Sequence, residues 1–292
     1  MNFAIFTDTS ANIPTPIAKK NEIGVIPLSY IVDGQEHVCL DTEKFQSREY
    51  YSALKAGTKV TTSQINPQKY AQYMEPALEA GQDILFVGMS SGISGSFNSA
   101  RIASEQLLET YESRKILLVD SLGASLGEGV LVLEAISCRE KGMTLEETAA
   151  YLNEMKDHVY QLFTVDDLMF LRRGGRLSNA SALVGTVLNV KPLLKGNENG
   201  KIVTFEKVRG RKKVMDQIAS RYDRLVEHPE NQTVCISHGN CPEDAQLLAD
   251  LVKRNNPPRE VLIVEHEPVT GSYLGPGALC IYFQGSKDVR TK

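Results

Sequence analysis

Short, unbroken apolar runs mark the first half of the chain, and longer stretches of helical spacing lie between them. NFAIF, DILFVGM and KILLVD carry no polar alternation, as expected of strands buried on both faces. IPTPIAKKN reads as a short helix with prolines at its start. VIPLSYIVDGQEHVCL reads as a hairpin about Asp33-Gly34. SREYYSALKAG and NPQKYAQYMEPALEAG read as helices, the second opening at Asn66-Pro67. This alternation predicts an N-terminal parallel α/β/α sheet domain over residues 1–157. From YQLFTVD onward the pattern changes. KPLLKGNENGKIVTFEKV is a hairpin about an Asn-Glu-Asn-Gly turn, and helices over 211–227 and 242–255 alternate with strands TVCISH, EVLIVEH and ALCIYF. A C-terminal mixed-sheet α/β domain over residues 158–292 follows. The terminal YFQGS resembles a protease-tag scar, but GALCIYFQ reads as a native final strand. No long linker separates the halves, so the two domains are expected to pack closely with a ligand in the crevice between them.

Composition narrows the classes. The 292 residues are 42% hydrophobic and 23% charged, which suits a globular protein with a proper core. A formal net charge of −4 and the lack of a dominant basic stripe argue against a nucleic-acid surface. No apolar run approaches the roughly 20 residues of a membrane span. The chain opens on a strand without a signal-peptide pattern. Its five cysteines, an odd number, do not form a disulfide framework. A cytoplasmic location is expected.

The densest candidate chemistry lies in GMSSGISGS, where a strand meets a helix. The loop offers backbone N–H groups, the hydroxyls of Ser90, Ser91, Ser94 and Ser96, and the positive end of a helix. A phosphate or a carboxylate is the expected guest. Thr61-Thr62-Ser63-Gln64 is a second hydroxyl cluster before a helix; it reads either as an N-cap or as a partner in one shared site above the sheet. GMSSG also matches the nucleophile elbow of serine hydrolases, with Ser90 as nucleophile and His238 or His266 completing a triad. Against this, Gly92 and Gly95 delay the helix beyond a sharp elbow. SLGASLGEG has neither dinucleotide nor P-loop spacing and reads as close helix packing by small residues. His238, Cys241 and Asp244 lack a second ligand pair for a metal and are read as a strand end and helix cap. RRGGRLS and EKVRGRKK are the concentrated basic segments, either solvated surface or a patch for an anionic partner.

Together these segments resemble the DegV family of bacterial fatty-acid-binding proteins, over essentially the whole chain and in the family's order: TDTSANIP, TSQINP, SSGISGSFNSA, DSLGASLGEG, FLRRGGRLS, KPLL, EKVRGRKK and GPGA. The resemblance implies a two-domain DegV-like fold that buries one long acyl chain. It implies that Thr62 and Ser94 hydrogen-bond the carboxylate, with Gly95 close by through its backbone. It further implies a non-catalytic subunit that presents its fatty acid to a separate dihydroxyacetone-kinase-like fatty acid kinase. The acyl phosphate so formed would feed phospholipid synthesis. Arg176 and Arg209 correspond to arginines implicated in engaging that kinase. No cofactor or metal is implied, and at most transient contact with a membrane surface. One departure concerns Tyr273 in GSYLGPG, where many members carry histidine. Tyrosine donates a hydrogen bond but carries no positive charge at neutral pH.

Magnitudes favour a lipid. Burying about 15 methylenes at roughly 0.8 kcal/mol each gives on the order of 12 kcal/mol before association costs. Hydroxyl bonds to a carboxylate add roughly 1.5–3 kcal/mol apiece. A phosphorylated metabolite would instead need several cations, and the hydroxyl segments have only Lys59 and Arg101 at their edges. The apolar stretch 181–190 is expected to line the tail cavity or to form core.

Overall fold

The structure, a computed structural model, describes residues 3–178 and 189–292, so most of the apolar stretch 181–190 lies outside the described residues. The first half runs β1 (Phe3–Asp8), α1 (Thr15–Lys20), β2 (Gly24–Ile26), β3 (Ser29–Val32), β4 (Gln35–Val38), α2 (Ser47–Lys55), β5 (Val60–Ser63), α3 (Pro67–Glu79), β6 (Asp83–Gly88), α4 (Ser96–Thr110), β7 (Ile116–Asp120), α5 (Leu126–Glu140) and α6 (Leu145–Met155). The second runs β8 (Val159–Thr164), α7 (Met169–Arg173), β9 (Val190–Gly196), β10 (Ile202–Arg209), α8 (Arg211–Leu225), β11 (Thr233–His238), α9 (Pro242–Asn255), β12 (Glu260–Glu265), α10 (Pro268–Leu274) and β13 (Leu279–Gln284). The chain forms two compact units, Met1–Phe45 with Thr61–Lys156, and Gln46–Val60 with Asp157–Lys292.

In the first unit, β2-β1-β6-β7 form a parallel sheet. Continuous apolar strands need cover on both faces, and they have it. Phe86 of β6 meets Tyr70 of α3 edge-on, with ring centroids 5.3 Å apart, and Phe97 of α4 packs on the same face. Thr7 of β1, on the opposite face, meets α5 through Glu128. A small second sheet has the order β4-β3-β5. Asp33 and Gly34 both take positive φ (49° and 79°) between β3 and β4, the two-residue turn that right-twisted hairpins favour. The hairpin is shorter than the apolar pattern suggests, because β2 leaves it to join the parallel sheet.

The second unit is built on a six-stranded mixed sheet, β10-β9-β8-β13-β11-β12, in which β11 and β12 pair in parallel and the other neighbours are antiparallel. The last apolar run, β13, therefore sits inside the sheet. Its Leu279, Ile281 and Phe283 join Tyr160, Leu162, Ile218, Tyr222 and Leu248 in one buried cluster beneath α8 and α9. Helix α8 ends at Leu225, two residues before the sequence pattern does, because Val226 turns extended and bridges Gly285. The segment 46–60 packs with this unit: Tyr50 donates its hydroxyl to Pro268 O at 2.7 Å, and Tyr51 donates to His266 O at 3.0 Å. Among the described residues, no helix is long and apolar enough to cross a membrane.

Phe283 is fully buried and touches Tyr160 and Tyr222 edge-on, at centroid distances of 5.6 and 5.2 Å. Phe283→Ala is expected to cost about 3–5 kcal/mol in urea unfolding followed by circular dichroism. A cost below about 1 kcal/mol would mean that β13 is not a core strand.

Candidate functional site

At the carboxyl end of the parallel sheet, four loops compete to satisfy backbone N–H groups that no longer have a strand partner. Asp8 ends β1. Its Oδ1 accepts from Ser10 N at 2.8 Å and its Oδ2 from Met89 N at 3.2 Å, so one carboxylate ties the first loop to the serine loop after β6. Asp120 ends β7 and accepts from Ser91 N at 3.2 Å and Leu122 N at 3.1 Å. The serine loop closes on itself through Ser94 N to Ser90 O at 3.1 Å and Gly92 N to Ser90 Oγ at 3.1 Å. Helix α4 then starts only at Ser96.

Two hydroxyl segments converge here. Ser96 Oγ accepts from Ile65 N at 3.2 Å and from Ser94 Oγ at 3.1 Å, so a single chain of bonds links the Thr62–Asn66 stretch to the serine loop. Gln64 lies over Gly95 so closely that a Cβ there would fall 2.2 Å from its Oε1. Asn66, whose Oδ1 accepts from Lys69 N at 2.8 Å, is the cap of α3, so the Thr61–Ser63 hydroxyls do not serve that purpose. Ser94 and Gly95 thus lie at the N-terminus of the 15-residue helix α4, and Thr62 lies on β5 of the same unit, three residues before the Ile65 that bonds to Ser96.

Beneath these loops lies a pair of acids that the sequence pattern does not single out. Asp8 is 1% exposed and Glu128, on α5, is 0% exposed. Glu128 accepts the Thr7 hydroxyl at 2.8 Å and the Ser10 hydroxyl. Burial pushes the Asp8 carboxyl above its ordinary range against the bonds from Ser10 and Met89. Burial, and then the neighbouring Asp8, push Glu128 well above its own. An acid set between two glycines at the start of the small and apolar LGEGVLVLEA helix was the available signal. One step along, Gly129 lets α5 approach the first loop: a Cβ there would lie 2.5 Å from Ala11 O. Close helix packing is indeed the role of this glycine.

Tyr273, Arg176 and Arg209 belong to the second unit. The Arg176 guanidinium stacks 4.7 Å from the Tyr273 ring centroid and donates to Gly174 O at 2.6 Å. Gly174 lets the ring in, since a Cβ there would meet Tyr273 Cδ1 at 2.3 Å. The two residues, expected in different roles, are in direct contact. Arg209 is exposed at the end of β10. Next to it, Arg211 is committed to Asp244 at 2.8 Å and to Cys241 Sγ at 3.6 Å, while Cys241 N donates to His238 Nδ1 at 3.3 Å. These contacts account for the His238-Cys241-Asp244 grouping as the start of α9. His266 Nε2 contacts Ser237 Oγ at 3.3 Å and Cys280 Sγ at 3.4 Å, and burial pushes its pKa down to about 3.

The chain matches the family model described as "Uncharacterised protein, DegV family" over residues 2–285. A DegV domain-containing protein of Clostridium perfringens is 34% identical over 283 residues, covering 97% of each chain. A solved Thermus thermophilus DegV family protein, described for its fatty acid binding, superposes with a TM-score of 0.89 at 28% identity, covering 98% of this chain and 100% of that one. DegV of Bacillus subtilis, described as a fatty acid binding protein, does so with a TM-score of 0.83 at 31% identity, covering 98% and 100%.

Gly129→Ala is expected to destabilise the protein by about 1–3 kcal/mol, because the intruded atom is backbone and cannot swing aside. Thermal unfolding checks this; an unchanged midpoint would show that α5 does not rest on the 8–12 loop.

Proposed function

Because the chain belongs to the DegV family, we propose that it binds one long-chain fatty acid and is itself non-catalytic, its carboxylate held by the hydroxyls of Thr62 and Ser94 with the backbone of Gly95 alongside. The observation that carries this reading is the bond chain from Ile65 N through Ser96 Oγ to Ser94 Oγ, which brings the two hydroxyl segments to one helix N-terminus. A carboxylate there gains charge-assisted hydrogen bonds and the favourable end of the α4 dipole. The fatty-acid-binding descriptions of the Thermus and Bacillus relatives support the same ligand. The acyl tail supplies affinity and the hydroxyls fix orientation.

In this reading a separate fatty acid kinase carries out phosphorylation to the acyl phosphate, and Arg176 and Arg209 form part of its docking face. The protein needs no cofactor or metal and works in the cytoplasm. The exposure of Arg209 is compatible with docking. A serine esterase is less well supported: Ser90 is 0% exposed and its oxygen accepts from Gly92 N, while His266 is engaged by Ser237 and Cys280.

Titration of the full-length protein with palmitate tests the ligand roles. Ser94→Ala and Thr62→Ala are each expected to weaken binding by about tenfold or more, in line with roughly 1.5–3 kcal/mol for a hydrogen bond to a charged group, with the fold retained by circular dichroism. Wild-type affinity in the double variant would remove both residues from the site. For Arg209→Glu, normal palmitate content with impaired acyl-phosphate formation by a matched kinase is expected, and normal turnover would remove Arg209 from the docking face.

A further inference from the structure

The proposed ligand chemistry makes no use of Asp8 and Glu128, the acids buried under the loops that build the site. One residue joins them: Ser10 gives its backbone N–H to Asp8 and its hydroxyl to Glu128. Their partners differ in balance. Asp8 receives two backbone N–H groups, those of Ser10 and of Met89 where the serine loop begins, beside the Ser10 hydroxyl, and a backbone N–H can only donate. Glu128 receives one backbone N–H, that of Asp8, and the hydroxyls of Thr7 and Ser10, and a hydroxyl can rotate to accept a proton instead. The other titratable groups around the pair are Tyr70 of α3, itself fully buried, and Lys19 of α1, Glu22 just past the end of α1 and Cys39 after β4, which with Asp8 line a cavity of about 220 Å³. Two carboxylates this close and this dry do not both ionise.

We infer that Asp8 and Glu128 share one proton, held on Glu128, and that the ionised Asp8 is the positioning residue of the serine loop. Neutral Glu128 ties β1 and the 9–11 turn to α5, while Asp8 fixes the backbone from which Ser90 and Ser94 project. The pair then places one negative charge under the loops rather than two, which suits a site meant for an anion. Burial raises both carboxyls, and Asp8 pushes Glu128 further, the order this assignment requires.

Infrared spectroscopy of the full-length protein in D2O at neutral pH tests the proton. A protonated-carboxyl C=O band is expected in the wild type and absent from Glu128→Gln; no such band in the wild type would overturn the shared proton. Unfolding against pH gives a second measure. A carboxyl raised in the folded state stabilises below its unfolded pKa and loses that contribution as pH rises towards its folded pKa. Glu128→Gln should therefore gain on the wild type as pH rises, and a constant difference would contradict the assignment. The positioning arm rests on the fatty-acid reading. Asp8→Asn should bind palmitate about tenfold more weakly and lose much of the wild type's preference for palmitate over hexadecanol. Unchanged affinity and preference would overturn the role of Asp8. A wild type that takes up no palmitate would sink the fatty-acid reading and the positioning role together, leaving the infrared band to decide the proton.

Discussion

At the carboxyl end of a buried parallel sheet, each departing strand leaves N–H groups without partners, and those groups must be satisfied for the loops to hold a shape. In the first unit a few side-chain oxygens meet this demand. Asp8 takes Ser10 N and Met89 N, Asp120 takes Ser91 N and Leu122 N, Thr9 takes Leu28 N, and Ser96 takes Ile65 N. These bonds shape the serine loop that carries Ser94 and Gly95 and tie it to the residues after β5, the strand that carries Thr62. The candidate site is therefore a product of hydrogen-bond satisfaction at the carboxyl end of the sheet, where two hydroxyl-rich segments are joined at the start of α4.

Much of the fold was legible because its strands are extreme. DILFVGM and KILLVD carry continuous apolar residues only because helices cover both faces of the sheet, and Ile84, Leu85, Phe86 and Val87 are all fully buried. Turns with a stereochemical requirement, such as Asp33-Gly34, were equally readable. The placement of 46–60 was not. Local pattern shows a helix there, but its packing depends on Tyr50 and Tyr51 reaching carbonyls more than 200 residues away.

The candidate site was legible in part for the same reason. Hydroxyl-rich segments at strand–helix junctions announce themselves, and the Ile65–Ser96 bond brings two of them together as the pattern suggested. Contacts across long sequence separations do not announce themselves. Glu128 meets Thr7 121 positions away, and nothing near either residue predicts the pairing. Arg176 and Tyr273 read as a kinase-docking arginine and a head-group tyrosine, yet they stack on each other, with the absent side chain of Gly174 making the room. A guanidinium keeps its charge throughout the physiological range, so this stack sets a permanent cation beside a residue that cannot itself become one.

Native mass spectrometry of the purified protein, followed by organic extraction, decides whether these hydroxyl segments serve a fatty acid. One equivalent of a long-chain fatty acid is expected, either carried through purification or taken up on addition. A protein that is empty as isolated and remains empty after incubation with palmitate would contradict that role.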